Sequence, residues 1–196
     1  MSFIRLLHPT RKIKTGIRVP ASKSESNRLL ILNALAGNTI RIENLSAARD
    51  TQQMLKLLSE NGPVADVLDA GTSMRFLTAY YAAINQQKTI TGSDRMKQRP
   101  IAPLVNALSE MGFDVRYTEE EDFAPVAIHP VKLDKIDDEV WIEGNISSQF
   151  ITALLLIAPF MPKGLNIKFT TGLVSRSYVE MTLKILEHFG VPFEWT

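Results

Sequence analysis

Apolar and polar positions repeat along this chain in a way that predicts three related helices. Each helix places a small hydroxyl residue two positions before a long polar residue, and an apolar stretch follows at once. These starts lie at 26–32, 73–79 and 147–153. A second amphipathic helix follows each one and ends at Gly62, Gly112 or Gly190, where glycine suits a left-handed cap. The pattern indicates one supersecondary unit used three times, with chance similarity of amphipathic helices as the alternative.

Short runs between these helices have the character of strands. Several alternate in polarity, which is typical of a strand with one buried face and one solvated face. The runs lie at 39–42, 88–91, 126–128, 140–142 and 165–169. The stretch 154–158 is apolar on all sides, as a buried helix should be. We therefore predict an α/β fold in which helices pack inside three small sheets.

Composition narrows the class of protein. The chain has 196 residues, 45% of them hydrophobic and 22% charged, with a formal net charge of +1. This balance is typical of a globular protein and does not favour nucleic acid or a membrane as partner. There is no cysteine, and His8, His129 and His188 are scattered, so we predict no metal site and no cofactor. The sequence shows no leader or membrane-spanning pattern, so we expect a cytoplasmic location.

Candidate chemistry begins with the run from Ala21 to Arg28. Lys23, Arg28 and several serines crowd into the first turn of the first helix. A helix N-terminus already carries unpaired N–H groups and partial positive charge, so added cations and hydroxyls predict an anion site. Glu25 is the only nearby acid in sequence. The alternative is ordinary capping by serine together with solvated cations.

The other two helix starts repeat this logic. Gly71 lies before Thr72 and Ser73 and lets backbone amides approach a ligand, while Ser147, Ser148 and Gln149 offer two hydroxyls and an amide. The loop 94–100 packs three cations ahead of a helix, and its Arg99 suits a bidentate grip on carboxylate or phosphate. Capping residues and a solvated loop are the alternatives.

These segments resemble the successive signatures of the 5-enolpyruvylshikimate-3-phosphate synthases, within the enolpyruvyl transferases. The matching segments are 21–28, 71–75, 96–101, 147–150 and 175–178, in the same order along most of the chain. The resemblance implies a lobe built as an inside-out α/β barrel of three repeated βαβαββ units. It also implies transfer of the enolpyruvyl group from phosphoenolpyruvate to shikimate 3-phosphate, with release of phosphate, in the shikimate pathway.

The resemblance also implies roles for individual residues. Lys23 would contact both substrates. The residues expected to bind shikimate 3-phosphate are Lys23, Ser24, Arg28, Ser147, Ser148, Gln149, Ser175 and Tyr178. Those expected to face phosphoenolpyruvate are Lys23, Gly71, Arg99 and Gln149. These roles are electrostatic, because hydroxyls and an arginine can hold a dianion and a lysine between two anions lowers their repulsion.

The chain departs from the family pattern at several points. Asp69 stands where the family often has Asn, which places a carboxylate near an expected anion. Phe76 stands where many members have Pro, which could shift the helix that carries Gly71. The stretch 61–68 is too short for the usual extra strands, so we expect the first unit to be shortened.

The extent of the match divides the chain into two parts. Residues 1–18 are expected to form strands that belong to or border another lobe, and 19–196 the lobe that binds shikimate 3-phosphate. Family members are much longer, and their acid–base groups belong to a second lobe. We expect this second lobe to be a partner that the chain needs for catalysis. We therefore predict weak substrate binding without turnover.

Two alternatives stay open at this point. One is a non-catalytic anion-binding or scaffold domain with the same fold. The other is a related enolpyruvyl transferase that acts on a nucleotide sugar. Such enzymes typically carry a reactive cysteine and an Asn after the first Lys, whereas this chain has no cysteine and Ser24 follows Lys23.

Overall fold

The computed structural model describes residues 4–5 and 7–195. Its α-helices are α1 Lys23–Leu35, α2 Arg49–Ser59, α3 Gly71–Ala83, α4 Asp94–Lys97, α5 Ala102–Glu110, α6 Ser148–Ile157 and α7 Arg176–His188. Its strands are β1 Val64–Asp66, β2 Lys88–Thr91, β3 Asp114–Tyr117, β4 Val126–His129, β5 Glu139–Ile142 and β6 Asn166–Phe169. Two short 3₁₀ turns lie at Leu133–Lys135 and Ala158–Phe160. The fold is α/β, as the sequence predicts.

The strands of the described residues form two sheets. One has the order β1-β2-β4-β3, in which β1 runs parallel to β2 and β4 runs antiparallel to both its neighbours. The other is the parallel pair β5-β6. The inward positions are apolar: Ala65 pairs with Ile90 and Ile90 with Val126, all of them fully buried. The strand predictions for 88–91, 126–128, 140–142 and 165–169 are confirmed to within a residue or two.

The predicted strand at 39–42 is wrong, and with it the third sheet. These residues follow the end of α1 in irregular conformation. The Thr39 hydroxyl donates to the Ala36 carbonyl at 3.1 Å, and the Ile40 amide donates to Asn33 Oδ1 at 2.9 Å. The Ile40 amide, which a β-ladder would need for a cross-strand hydrogen bond, therefore helps to close the end of α1 instead.

The hydrophobic core lies among the helices and against the inner faces of the sheets. Helices α3 and α6 pack together at its centre, and both are buried around most of their circumference. Helix α1 packs on α2, α3 and α7, while α5 bridges α6 to strands β3 and β5. Among the described residues, no helix combines the length and the apolar character that a membrane span requires.

The helix ends agree with the predicted glycine caps at two of three positions. Gly112 and Gly190 adopt left-handed backbone, with φ of 101° and 79°. Gly62 does not, because α2 ends earlier, at Ser59. The end of α2 is closed instead by the buried Lys88, whose Nζ donates to the carbonyls of Glu60 and Gly62. A tertiary contact thus replaces the local cap.

Two adjacent leucines test which face of α6 is buried. Leu154 is fully buried, whereas its neighbour Leu155 is only partly buried. Leu154→Ala should lower the free energy of unfolding by about 3 kcal/mol, because it leaves a cavity between packed helices. Leu155→Ala should cost much less. Urea unfolding of both variants measures the difference, and equal losses would contradict this placement of α6.

Candidate functional site

A cleft of about 380 Å³ lies where the N-termini of α1, α6 and α7 approach one another. Every residue predicted to bind shikimate 3-phosphate lines it: Lys23, Ser24, Arg28, Ser147, Ser148, Gln149, Ser175 and Tyr178. Asn27, Thr72 and Phe76 line it as well. Residues up to 155 positions apart in sequence, from 23 to 178, are thus brought to one surface. Of the described residues in this lining, none is acidic.

Arg28 supplies a buried positive charge to the cleft. Its Nε donates to Thr182 Oγ1 at 2.7 Å and its Nη1 to the Ser24 carbonyl at 2.7 Å. Its Nη2 donates to Thr152 Oγ1 at 3.2 Å and to the Tyr178 carbonyl at 3.3 Å. A guanidinium has five N–H donors, so among the described contacts one N–H on Nη1 remains.

Burial changes the acidity of Arg28 without neutralising it. Desolvation lowers its pKa to about 10, while Tyr178 and Glu25 act in the opposite direction. The side chain therefore stays charged at neutral pH. Its hydrogen-bond partners are neutral oxygens, so its charge remains available to an anion in the cleft.

Lys23 is the more exposed cation of the cleft, and its partner differs from the sequence expectation. Its Nζ forms an ion pair with Asp50 Oδ2 at 2.8 Å. Asp50 lies in the first turn of α2, 27 residues away in sequence. The expectation that Glu25 is the only nearby acid is therefore wrong, because α2 folds back against α1.

Helix α6 contributes its N-cap and its first two residues to the cleft. Ser147 is the N-cap, and its hydroxyl accepts from the Gln149 amide at 3.5 Å. Ser148 is buried beneath it. Gln149 Oε1 is buried and has no hydrogen-bond partner among the described residues. An acceptor of this kind is ready for a donor from a ligand.

The start of α7 forms the opposite wall. Ser175 has a left-handed backbone, with φ of 58°, and its side chain is exposed. Tyr178 is 46% exposed, and its carbonyl accepts from Arg28. A serine in the left-handed region carries local strain, which often marks a functional position.

Gly71 and Arg99 do not line this cleft, but they lie together next to it. A Cβ at Gly71 would lie 2.5 Å from Arg99 Nη1 and 2.8 Å from Arg75 Nη1, so a side chain cannot be added without displacing both. Thr72, the next residue of α3, lines the cleft. Gly71 and Arg99, two of the four residues predicted to face phosphoenolpyruvate, therefore form with Arg75 a second cationic cluster at the edge of the cleft.

Arg75 joins the parts of this second cluster. Its Nη1 donates to the Gly71 carbonyl at 2.8 Å, and its Nη2 donates to the Pro100 carbonyl at 2.9 Å. The guanidinium lies over the Phe150 ring at 4.9 Å from the centroid. Burial, followed by repulsion from Arg99, lowers the pKa of Arg75 to about 10. One buried cation thus ties together three segments that carry predicted ligand contacts.

The two departures from the family pattern have visible consequences. The Asp69 carboxylate accepts a hydrogen bond from the Ser93 hydroxyl at 2.5 Å and does not line the cleft. Phe76 is buried and lies 5.7 Å from the Arg28 guanidinium, measured to its ring centroid. Asp69 is therefore hydrogen-bonded to the N-cap residue of α4, and the Phe76 ring lies against the Arg28 guanidinium.

Several site residues are absent from the sequence prediction. Asn27 and Thr72 carry a local signal, since each adjoins a predicted residue. Asp50, Thr152 and Thr182 carry none, because they reach the site only through the packing of α2, α6 and α7 against α1. Their contacts need the tertiary structure to be seen.

The link through Arg75 makes a stability prediction. Arg75→Lys should lower the free energy of unfolding by about 2 kcal/mol, because one ammonium cannot reach both carbonyls in the fork geometry of a guanidinium. Arg116→Lys is the matched control, since Arg116 is exposed and its ion-pair partner within the described part of the chain is Asp114. Chemical unfolding measures both. If Arg75→Lys lowers the free energy of unfolding no more than Arg116→Lys does, the claim that Arg75 joins these segments is wrong.

Comparison with known proteins identifies the family of this chain. The profile of the EPSP synthase (3-phosphoshikimate 1-carboxyvinyltransferase) family matches residues 7–68 and 59–196. A 3-phosphoshikimate 1-carboxyvinyltransferase from Bacteroides fragilis is 46% identical over 191 residues, covering 97% of this chain and 46% of the relative. One from Colwellia psychrerythraea is 37% identical over 214 residues, covering 96% of this chain and 50% of the relative.

A solved structure shows the fold. EPSP synthase from Acinetobacter baumannii superposes with a TM-score of 0.69 at 18% identity, covering 92% of this chain and 45% of that protein. The chain spans about half the length of the curated relatives it matches. On the family profile and the identity to these relatives, the chain belongs to the EPSP synthase family.

Proposed function

We propose that this chain is the shikimate 3-phosphate-binding lobe of an enolpyruvyl transferase, a 3-phosphoshikimate 1-carboxyvinyltransferase. The observation that carries the proposal is the cleft, in which all the residues expected to bind that substrate meet. Its lining combines cations, hydroxyls and an amide, which suits a ligand with ring hydroxyls and a phosphate.

The cleft chemistry fits a dianion in particular. Lys23 and Arg28 bring two positive charges, and Ser147 and Ser148 bring hydroxyls together with the N-terminus of α6. Helix N-termini and charge-assisted hydrogen bonds favour phosphate. Gln149 then offers an acceptor for a ring hydroxyl. We assign these residues to shikimate 3-phosphate, with Ser24, Ser175 and Tyr178 completing the pocket.

The second cationic cluster is our candidate for phosphoenolpyruvate. Gly71 and Arg99 adjoin Arg75 at the edge of the cleft, and Lys23 and Gln149 line the cleft itself. Two anions that approach each other repel, and fixed cations between them offset that repulsion. The role of this chain in the reaction would therefore be positioning and charge stabilisation.

Proton transfer would require groups from elsewhere. The carbon–oxygen chemistry of enolpyruvyl transfer needs an acid and a base within hydrogen-bond reach of the reacting atoms. Of the described residues that line the cleft, none is an Asp or Glu. We propose that a second lobe supplies these groups, so that this chain binds substrate without turnover. The cytoplasmic location stays a prediction from the sequence.

The first part of the chain supports a partner lobe. Residues 12–22, before α1, form neither helix nor strand, and Ile13, Ile17 and Val19 are 79%, 82% and 79% exposed. Exposed apolar side chains at alternate positions are typical of a segment that forms a strand by pairing elsewhere. We propose that this segment adds to a sheet of the second lobe, while residues 19–196 form the binding lobe itself.

A titration with shikimate 3-phosphate tests the proposal. Backbone amide shifts of the full chain should move saturably at Ser24, Ser147 and Ser148, because these residues line the cleft. Ser148→Ala should weaken binding by about tenfold through loss of one hydrogen bond to a charged group. Arg28→Ala should abolish it.

The controls separate binding from folding. Ser109→Ala, at an exposed position of α5, should bind like the unmodified chain. Thermal unfolding shows whether Arg28→Ala remains folded. If it does not, the affinity of Ser148→Ala decides the test. Absence of saturable shifts in the unmodified chain up to millimolar ligand would overturn the proposed function. Phosphate release with both substrates at a steady rate would contradict the claim of no turnover.

The Lys23–Asp50 pair makes a separate prediction. Asp50→Asn removes a carboxylate that competes with the ligand for Lys23. Affinity for shikimate 3-phosphate should rise by about twofold to fivefold, as expected from an exposed ion pair worth about 0.5–1 kcal/mol. Glu139→Gln is the matched control, because it frees Lys168 on the distant β5-β6 sheet. Calorimetric titration at low salt measures both, and weaker binding by Asp50→Asn would refute competition.

A further inference from the structure

Asn27 has a polar atom that the fold leaves unused at the floor of the cleft. Its side chain is fully buried, and it lines the cleft between Lys23 and Arg28. The Thr51 hydroxyl donates to Asn27 Oδ1 at 2.8 Å. Asn27 Nδ2 has no hydrogen-bond partner among the described residues. The acceptor end of the amide is thus occupied and the donor end is free.

An unused buried donor of this kind is unusual in a folded protein. Most buried polar atoms are hydrogen-bonded, and an unpaired one destabilises the fold. Neighbouring polar side chains of α1 have protein partners: Ser26 Oγ accepts from the Ser46 amide at 3.0 Å, and Arg28 makes four hydrogen bonds. A ligand oxygen would supply what Asn27 lacks.

A second unpaired atom in the same cleft makes a complementary pair. Gln149 Oε1 is also buried without a partner among the described residues, and it is an acceptor. One free donor and one free acceptor on the walls of a single cleft match a hydroxyl-bearing ligand, since a hydroxyl both donates and accepts. This observation is independent of the cationic residues.

The first turn of α2 holds Asn27 in this orientation. Thr51 is fully buried there and directs its hydroxyl at Oδ1, so the NH₂ group points the other way. Asp50, the preceding residue, contacts Lys23 from the same turn. Adjacent residues of α2 therefore contact two cleft residues of α1.

We propose that Asn27 is a further ligand-binding residue of this cleft, donating from Nδ2 to an oxygen of shikimate 3-phosphate, and that Thr51 is its positioning residue. The proposal rests on the proposed function, because it takes the same ligand. It adds a neutral donor to a site otherwise described by charge, and it assigns a role to α2.

Two substitutions test the two roles. Asn27→Leu keeps the branched shape of the side chain and removes the Nδ2 donor together with the Oδ1 acceptor, so the full chain should bind shikimate 3-phosphate about tenfold more weakly. Thr51→Val keeps the shape and removes the hydroxyl that orients the amide, so the loss should be smaller, about threefold. Thr78→Val is the matched control. Thr78 is buried, donates to the Met74 carbonyl of its own helix and does not line the cleft.

A spectroscopic readout separates contact from mere structural support. The Asn27 side-chain NH₂ resonances should shift on addition of shikimate 3-phosphate to the unmodified chain, and the shift should shrink in Thr51→Val. A titration with shikimate identifies the oxygen. If Asn27→Leu weakens the binding of shikimate and of shikimate 3-phosphate equally, the contact is to an oxygen of the ring. If it weakens only the binding of shikimate 3-phosphate, the contact is to the phosphate.

The outcomes distinguish this inference from the proposed function. If the unmodified chain binds shikimate 3-phosphate, but Asn27→Leu binds equally well or the NH₂ resonances stay unmoved, the role of Asn27 is wrong and the proposed function stands. If Thr51→Val behaves like Thr78→Val in affinity and in the NH₂ shift, the positioning role is wrong. If the unmodified chain does not bind, both proposals fail together. Should Asn27→Leu not fold, the NH₂ shift in the unmodified chain decides.

Discussion

The buried guanidinium of Arg28 is the constraint on which the cleft depends. A charge in a protein interior must be surrounded by hydrogen-bond acceptors, because desolvation otherwise removes it. Those acceptors come from three helices: Ser24 in α1, Thr152 in α6, and Thr182 and Tyr178 in α7. Satisfying one side chain therefore fixes how the first and third helix pairs meet. The same arrangement leaves a positive charge facing the cleft, with no carboxylate partner among the residues that the structure describes.

The three repeated helix starts use the same position for different purposes. The first places Arg28 in the cleft, while the second turns Arg75 toward the backbone carbonyls of Gly71 and Pro100. The third has Gln149, which is neutral and keeps an unpaired acceptor. The repeat thus places these three side chains at equivalent positions, and the residue at each position decides its role. Arg28 supplies charge, Arg75 aligns neighbouring segments and Gln149 offers a hydrogen-bond acceptor. All three helix starts contribute residues to the cleft, together with the start of α7.

Most of the architecture could be predicted from the sequence because it follows from local periodicity. Helix positions and four strands agree with the pattern of apolar residues, and the α/β class follows from them. The two failures have different causes: at 39–42 local hydrogen bonds to the end of α1 replace a strand, whereas at Gly62 a tertiary contact from the buried Lys88 closes α2. The residues expected at the site were located through family resemblance, and their ligand roles stay predictions that titration can test.

The sequence by itself determined the three helix starts, the cluster of polar side chains at each, and membership in a family with a recognisable order of motifs. These features depend on neighbours in the chain, so periodicity and composition reveal them. Only the tertiary structure decided that Asp50 pairs with Lys23, that Thr51 orients Asn27, and that Arg28 is held by α6 and α7. These contacts join residues 24 to 154 positions apart, and their geometry is set by helix packing, which no local pattern encodes.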